Sequence, residues 1–215
     1  PREPLPSTAS LQPTGRSGTD RRGGERAAYG RVRALRWGPG TDDEDGAVDS
    51  FDTLWAELEP IGRYAGTGGY RRYVLSPEEL ACREWFVSTA QARGLDVETD
   101  RNGNLWAWWV PPGVDPSLPA LVVGSHLDSV PDGGAYDGPL GVVSAFAALD
   151  AMRAADVVPE RPVALVAFAD EEGARFGIAC AGSRLMTGAL DADKARGLVD
   201  RDGRTMAEVM TSLGL

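Results

Sequence analysis

The sequence predicts an α/β fold, chiefly because two short apolar strands are separated by a helix. Residues 120–123 and 162–169 are apolar runs of the length expected of buried strands. Residues 141–155, which lie between them, are rich in alanine and valine and predict a helix. A strand, a helix and a second strand at this spacing indicate a right-handed parallel crossover.

The other elements follow from periodicity, capping residues and turn signals. Ser76, followed by Pro77 and Glu79, has the pattern of a capping box and predicts a helix that continues to about residue 93. The sequence also predicts helices over residues 51–61, 183–190 and 205–213, and two strands, 95–99 and 105–110, joined by a turn at Asn102-Gly103.

Composition excludes several classes of protein. The 215 residues are 42% hydrophobic and 25% charged, which is typical of a packed soluble domain. The formal net charge of -10 argues against a nucleic-acid partner, and no stretch approaches the length of a membrane span. Two cysteines are too few for a disulfide scaffold. We therefore expect a cytoplasmic protein with no nucleic-acid or membrane partner.

The first part of the chain differs from the rest in charge and composition. Residues 1–40 carry eight arginines against three acidic residues, a net charge of +5. This part is rich in proline, glycine and serine, so it has little apolar surface to bury. We expect residues 1–47 to be a disordered extension and residues 48–215 to fold. The extension could also be a basic arm that binds an acidic partner, or could lie upstream of the natural start.

Acidic residues and the single histidine of the chain follow the two apolar strands. His126 and Asp128 come directly after the first strand, and Glu171 and Glu172 come shortly after the second. Asp137 lies in the loop between the first strand and the helix. Because the carboxyl ends of neighbouring parallel strands meet at one edge of the sheet, we expect these five side chains to gather there.

One imidazole and several carboxylates are a ligand set that suits zinc, manganese or cobalt. Two metal ions could share a carboxylate and activate a water, and a carboxylate that binds no metal could serve as a base. Other interpretations stay open, since a lone histidine is often structural and paired glutamates are often solvated. A serine relay would have to use His126, while Cys82 and Cys180 are expected to be small buried fillers.

Three motifs, in order, resemble the M20 metallopeptidase superfamily. They are GSHLDSVP at residues 124–131, GGAYDG at 133–138 and DEEGARFG at 170–177. The resemblance is strongest to the amidase and carbamoylase branch of that superfamily. It implies a zinc-peptidase-like, three-layer catalytic domain with a mostly parallel central sheet. That domain would be incomplete at its C-terminus and would lack its lid and dimerisation domain.

The resemblance also implies a role for each candidate residue. His126 would bind one metal ion, Glu172 the second, and Asp137 would bridge both. Glu171 would be the general base and would pass its proton to the leaving nitrogen. Asp128 would orient His126. The cofactors would be two divalent metal ions, Mn²⁺ or Zn²⁺.

The implied substrate is a small ureido compound, most simply allantoate, which would give ureidoglycine, ammonia and carbon dioxide. Residues 54–72, with GTGGYRR at 66–72, favour allantoate, while N-carbamoyl-L-amino acids and ureidoglycolate are alternatives within the branch. The family takes further histidine ligands from later in the chain, and this sequence has one histidine in all. We therefore expect a fragment of a longer homodimeric enzyme that is inactive alone and exposes an unpaired sheet edge. A truncated, non-catalytic binding module is the alternative from another class.

Overall fold

A computed structural model describes residues 51–214, which form six helices and a four-stranded sheet. The prediction for residues 1–47 lies outside these described residues. The helices are α1 (Phe51–Leu58), α2 (Pro77–Ala92), α3 (Pro139–Ala154), α4 (Ala181–Met186), α5 (Ala192–Arg196) and α6 (Met206–Ser212). The strands are β1 (Asp96–Thr99), β2 (Leu105–Trp109), β3 (Leu121–His126) and β4 (Val163–Phe168).

The sheet has the order β1-β2-β4-β3 and contains the predicted parallel unit. β3 and β4 pair in parallel, with α3 between them in the chain, so the α/β class is confirmed. β2 pairs antiparallel with both β1 and β4. The sheet of the described residues is therefore mixed, whereas the resemblance implies a mostly parallel one, because β2 inserts beside β4 in the opposite direction.

One face of the sheet carries the main hydrophobic core. Leu105 and Ala107 of β2 and Leu165 of β4 alternate onto this face and pack against α1, α2 and α3. Phe146 of α3 lies at its centre, with its ring 5.3 Å from that of Phe86. Burial of each leucine or phenylalanine side chain contributes about 2 kcal/mol to the stability of the fold, because it removes apolar surface from water.

The other face of the sheet carries a small aromatic cluster. Trp106 stacks on Trp108 with ring centroids 5.8 Å apart and meets Phe168 edge to face at 6.3 Å. Trp109 packs against the main core, as the alternation of side chains along a strand requires. The three tryptophans of β2 are therefore divided between the two faces of the sheet.

β3 is an edge strand, and its apolar residues are exposed. Within the described residues it pairs only with β4. Leu121, Val122 and Val123 are 58%, 45% and 42% exposed. Within residues 51–214, the prediction that this apolar run is a buried strand is wrong, because β3 lies at the edge of the sheet with no strand on its outer side. The predicted unpaired edge is present.

A second, smaller core joins the last three helices. Phe176, Leu190 and Val209 are buried in it, together with residues of α4, α5 and α6. α5 has five residues and no apolar periodicity, which explains why the sequence did not predict it. In the described part of the chain, no helix is both long and apolar enough to cross a membrane.

The helix start at Ser76 is as predicted, with one difference. Ser76 Oγ accepts a hydrogen bond from the Glu79 N–H at 3.3 Å. The Glu79 carboxylate accepts from the N–H of Leu75 at 3.0 Å, one residue before the position that a capping box uses. Leu75 itself has a left-handed backbone conformation, with a φ of 58°.

Candidate metal centre

The pairing of β3 with β4 brings the candidate residues together. The register sets His126 beside Phe168, so the two strands end at the same edge of the sheet. The chain then turns sharply at Asp170, where φ is 51°, and presents Glu171 and Glu172 beside His126. The predicted convergence at the carboxyl ends of these strands is what the structure shows.

His126 is buried, and its two ring nitrogens have different surroundings. Nδ1 lies 3.1 Å from the backbone oxygen of Asp128 and 3.4 Å from its carboxylate. Nε2 faces Glu171 Oε2 at 3.7 Å and Asp137 Oδ1 at 4.0 Å. Since an N–H at Nδ1 is matched by these oxygens, Nε2 is the nitrogen available to a metal ion.

Three side chains form a group with the spacing of metal ligands. One ligand atom each of His126, Glu171 and Glu172 lies within 4.8 Å of the others. Asp137 is outside this group, although its carboxylate is close to Nε2, and its side chain is 61% exposed. Imidazole nitrogen and carboxylate oxygen are ligands that Zn²⁺ and Mn²⁺ accept, so the residues present fit a divalent cation.

Asp128 connects the two strand ends. It is 3% exposed, and its two carboxylate oxygens accept hydrogen bonds from the backbone N–H groups of Glu171 at 3.1 Å and Glu172 at 3.0 Å. The same carboxylate lies beside Nδ1 of His126. Asp128 therefore contacts the imidazole, and it also fixes the backbone that carries both glutamates, which the sequence did not indicate.

The site concentrates negative charge. Burial would lower the pKa of His126, but the carboxylates of Asp128 and Glu171 outweigh burial and raise it. Burial and the charge of Asp137 raise the pKa of Glu172. Asp170 is 2% exposed, and burial together with the charge of Asp128 raises its pKa to about 7. A cation would relieve this repulsion, which is the electrostatic setting expected of a metal site.

Two neighbours of the site were not identified by the sequence. Gly138 has a φ of 84°, and an added Cβ there would lie 2.5 Å from Cε1 of His126, so the imidazole rests against bare backbone. Cys180 is half-buried, and its thiol donates a hydrogen bond to Glu171 Oε1 at 3.3 Å. The prediction of a small buried filler is correct for Cys82 and wrong for Cys180, because Cys180 lies in the turn that returns to Glu171.

Comparison with known proteins supports the family resemblance that the three motifs indicate. A profile of the peptidase family M20/M25/M40 matches residues 122–210, which contain all three motifs. The chain belongs to the M20 family. It is 37% identical over 160 residues to the N-carbamoyl-L-amino-acid amidohydrolase of Paenarthrobacter aurescens, covering 74% of this chain and 38% of that protein. It is 33% identical over 147 residues to the allantoate amidohydrolase of Escherichia coli, covering 68% of this chain and 35% of that one.

The M20 fold is confirmed by a solved structure. A hydantoinase/carbamoylase family amidase from Burkholderia ambifaria has a TM-score of 0.70 at 33% identity, covering 77% of this chain and 41% of that one. The matched part of the chain thus spans about two fifths of the length of these M20 proteins. His126, Asp137, Glu171 and Glu172 all lie within the part that the M20 profile matches.

Proposed function

We propose that this protein is a metal-dependent amidohydrolase that cleaves a C–N bond in a linear ureido compound. The observation that carries the proposal is the group formed by His126, Glu171 and Glu172 at the ends of two parallel strands. Membership of the M20 family and the names of the amidohydrolases that it resembles support the same reaction class.

In this proposal, His126 Nε2, Glu172 and Asp137 would hold two divalent metal ions, Mn²⁺ or Zn²⁺. When bound, such ions supply an activated water and polarise the carbonyl of the substrate. Asp128 holds the imidazole with Nδ1 protonated, which directs Nε2 into the site. The turn at Asp170 keeps both glutamates on the same side as His126.

Glu171 is the general base in this proposal. Its Oε2 is the carboxylate oxygen nearest to His126 Nε2, so it faces the position where the attacking water would lie. It takes a proton from that water as the oxygen adds to the carbonyl carbon. The same oxygen then gives the proton to the leaving nitrogen, and the C–N bond breaks to release a neutral amine or ammonia.

Allantoate is the substrate that we propose first, with ureidoglycine, ammonia and carbon dioxide as products. Residues 66–72, part of the segment 54–72 that favours allantoate, lie against the loop that leads to Asp137. Tyr70 and Gly133 exchange backbone hydrogen bonds of 3.0 and 3.2 Å, and the Arg71 guanidinium pairs with Asp132 at 3.0 Å. Residues 66–72 thus contact the loop that carries Asp137, and we propose that they influence through it which substrate the site accepts.

N-carbamoyl-L-amino acids are the second candidate substrates, since a relative of 37% identity carries that name. Ureidoglycolate remains a third. These compounds share a ureido group, so the proposed site chemistry is the same for all three. They differ in the groups attached to the reacting nitrogen, which residues outside the metal group must recognise.

Ammonia release from the three substrates tests the proposal. The full-length natural product, loaded with Mn²⁺ or Zn²⁺, should release ammonia from allantoate faster than from ureidoglycolate or N-carbamoyl-L-amino acids. Removal of metal by a chelator should abolish the reaction, and metal addition should restore it. His126→Asn should remain inactive under both conditions. Release from none of the substrates would contradict the proposal and favour a non-catalytic binding module.

Further expectations about location, oligomeric state and the isolated chain accompany this proposal. We propose that the full-length protein is a cytoplasmic homodimer, which light scattering and cell fractionation can check. We also propose that residues 1–215 alone bind metal weakly and have no useful turnover, because the chain contains one histidine. The same ammonia assay, applied to this chain and to the full-length natural product, tests that statement.

A further inference from the structure

The two carboxylate oxygens of Glu171 have different neighbours. Oε1 accepts a hydrogen bond from the thiol of Cys180 at 3.3 Å. Oε2 lies 3.7 Å from Nε2 of His126. The thiol of Cys180 thus binds Oε1, while Oε2 faces the candidate metal centre.

The backbone brings Cys180 to this position through consecutive hydrogen bonds. The N–H groups of Cys180, Ala181 and Gly182 donate to the backbone oxygens of Glu171, Asp170 and Ala169 at 2.6, 2.9 and 2.9 Å. Three bonds in succession fix the register between the turn after β4 and the start of α4. The thiol cannot move far from Glu171 while this register holds.

Two unusual backbone positions show that the turn is tightly determined. Cys180 has a φ of 58°, a left-handed conformation that residues with a side chain rarely adopt. Gly173 has a φ of 64°, and an added Cβ there would lie 2.6 Å from the backbone nitrogen of Ala179. A strained residue that contacts a candidate catalytic group is a reason to ask whether the contact has a function.

We propose that Cys180 is a positioning residue that fixes the side chain of Glu171, with the thiol holding Oε1 so that Oε2 faces the reacting water. This proposal rests on the proposed role of Glu171 as general base. A thiol is a weak donor, so it can orient the carboxylate without replacing it as the group that moves the proton. In this proposal, Cys180 binds neither metal nor substrate and acts only through Glu171.

Substitution of Cys180 in the full-length natural product tests the positioning role. Cys180→Ala removes the donor and should lower kcat by about threefold to tenfold, the effect of one modest hydrogen bond. KM and metal content should stay unchanged. Cys180→Ser keeps a donor of similar size and should restore most of the lost kcat. Cys82→Ala, which removes the other cysteine from the core, is the matched control and should leave kcat unchanged.

Thiol labelling gives a readout that needs no activity. Cys82 is 0% exposed, so iodoacetamide should react with Cys180 in the folded chain. Glu171→Gln removes the charge beside the thiol and should raise the labelling rate by about threefold or more. Glu172→Gln removes a charge next in sequence that does not contact the thiol and should leave the rate nearly unchanged.

The outcomes separate the two proposals. Equal labelling rates in the two glutamine variants, or equal kcat values for Cys180→Ala and Cys180→Ser, would overturn the positioning role. Full turnover in Glu171→Gln would overturn the role of the base instead, whatever the labelling shows. Loss of metal from Cys180→Ala would mean that the residue supports the fold of the site and does not position Glu171.

Discussion

The imidazole of His126 lies against the backbone of Gly138, where a β-carbon would approach its Nδ1 to 2.6 Å. Gly138→Ala should therefore displace the imidazole and lower metal affinity by about tenfold or more. A competitive titration against a chelator measures this affinity. Gly113→Ala is the matched control, since Gly113 also has a positive φ of 88° but has no atom within 4 Å of the added Cβ. Gly113→Ala should have the same backbone strain and bind metal like the wild type. An equal loss of metal affinity in both variants would show that the contact of residue 138 with His126 is not the cause.

Asp128 should matter for metal binding although it is not proposed as a ligand. Asp128→Asn replaces one carboxylate oxygen by an NH₂ group, which is a donor. The side chain can then accept a hydrogen bond from only one of the N–H groups of Glu171 and Glu172. We expect metal affinity to fall by about tenfold to a hundredfold. Isothermal titration with Zn²⁺ measures it. Asp115 lies in an exposed loop, and its carboxylate accepts hydrogen bonds from Ser117, so Asp115→Asn should bind metal like the wild type. An unchanged affinity in Asp128→Asn would disprove the connecting role.

Asp100 should make stability depend on pH. Burial would raise its pKa, but hydrogen bonds from Asn104 and Trp106 outweigh burial and lower it below 3.8. The carboxylate therefore stabilises the fold above pH 3.8, and this contribution is lost as the pH falls through the lowered pKa. Asp100→Asn should cost about 1–2 kcal/mol at pH 7.

Urea unfolding of Asp100→Asn and wild type at several pH values measures this difference. The gap in the free energy of unfolding should narrow as the pH falls below 3.8. Glu98→Gln, at an exposed position on β1, should show no such gap. A gap for Asp100→Asn that is the same at pH 3 and pH 7 would show that the charge of Asp100 does not contribute.

Some features of the site could be predicted from the sequence because they depend on neighbours in the chain. The helix cap at Ser76 is local, and the β3-α3-β4 unit follows from apolar runs with a helix between them. The order of residues then sets His126 and Glu171 at adjacent strand ends. The three motifs, which occur in the order found in the M20 family, indicated the family.

Other features depend on long-range contacts and could not be predicted from the sequence. The apolar pattern of Leu121–Val123 is that of a buried strand, and only the strand order reveals that β3 is at the edge. The side chain of Asn104 is fully buried: it donates to Asp100 and Gly182 and accepts from Ala169. Nothing in the local sequence indicates these bonds. The contact of Cys180 with Glu171 depends in the same way on a turn that folds back.

The exposed edge should make the isolated chain associate. β3 presents unpaired backbone groups flanked by exposed valine and leucine side chains, which favours pairing with another strand. Val122→Lys should reduce self-association of residues 1–215, as followed by light scattering over a range of concentrations. Val158→Lys, at a 63% exposed position outside the sheet, is the control. If both variants reduce association equally, added charge and not the edge is the cause.

Turnover of Glu171→Gln in the full-length natural product tests the central claim most directly. The account predicts that kcat for allantoate, or for whichever ureido substrate is turned over, falls by at least about a hundredfold. Metal content, measured by mass spectrometry of the purified protein, should match the wild type. A variant that keeps its metal and turns over at close to the wild-type rate would show that Glu171 is not the base.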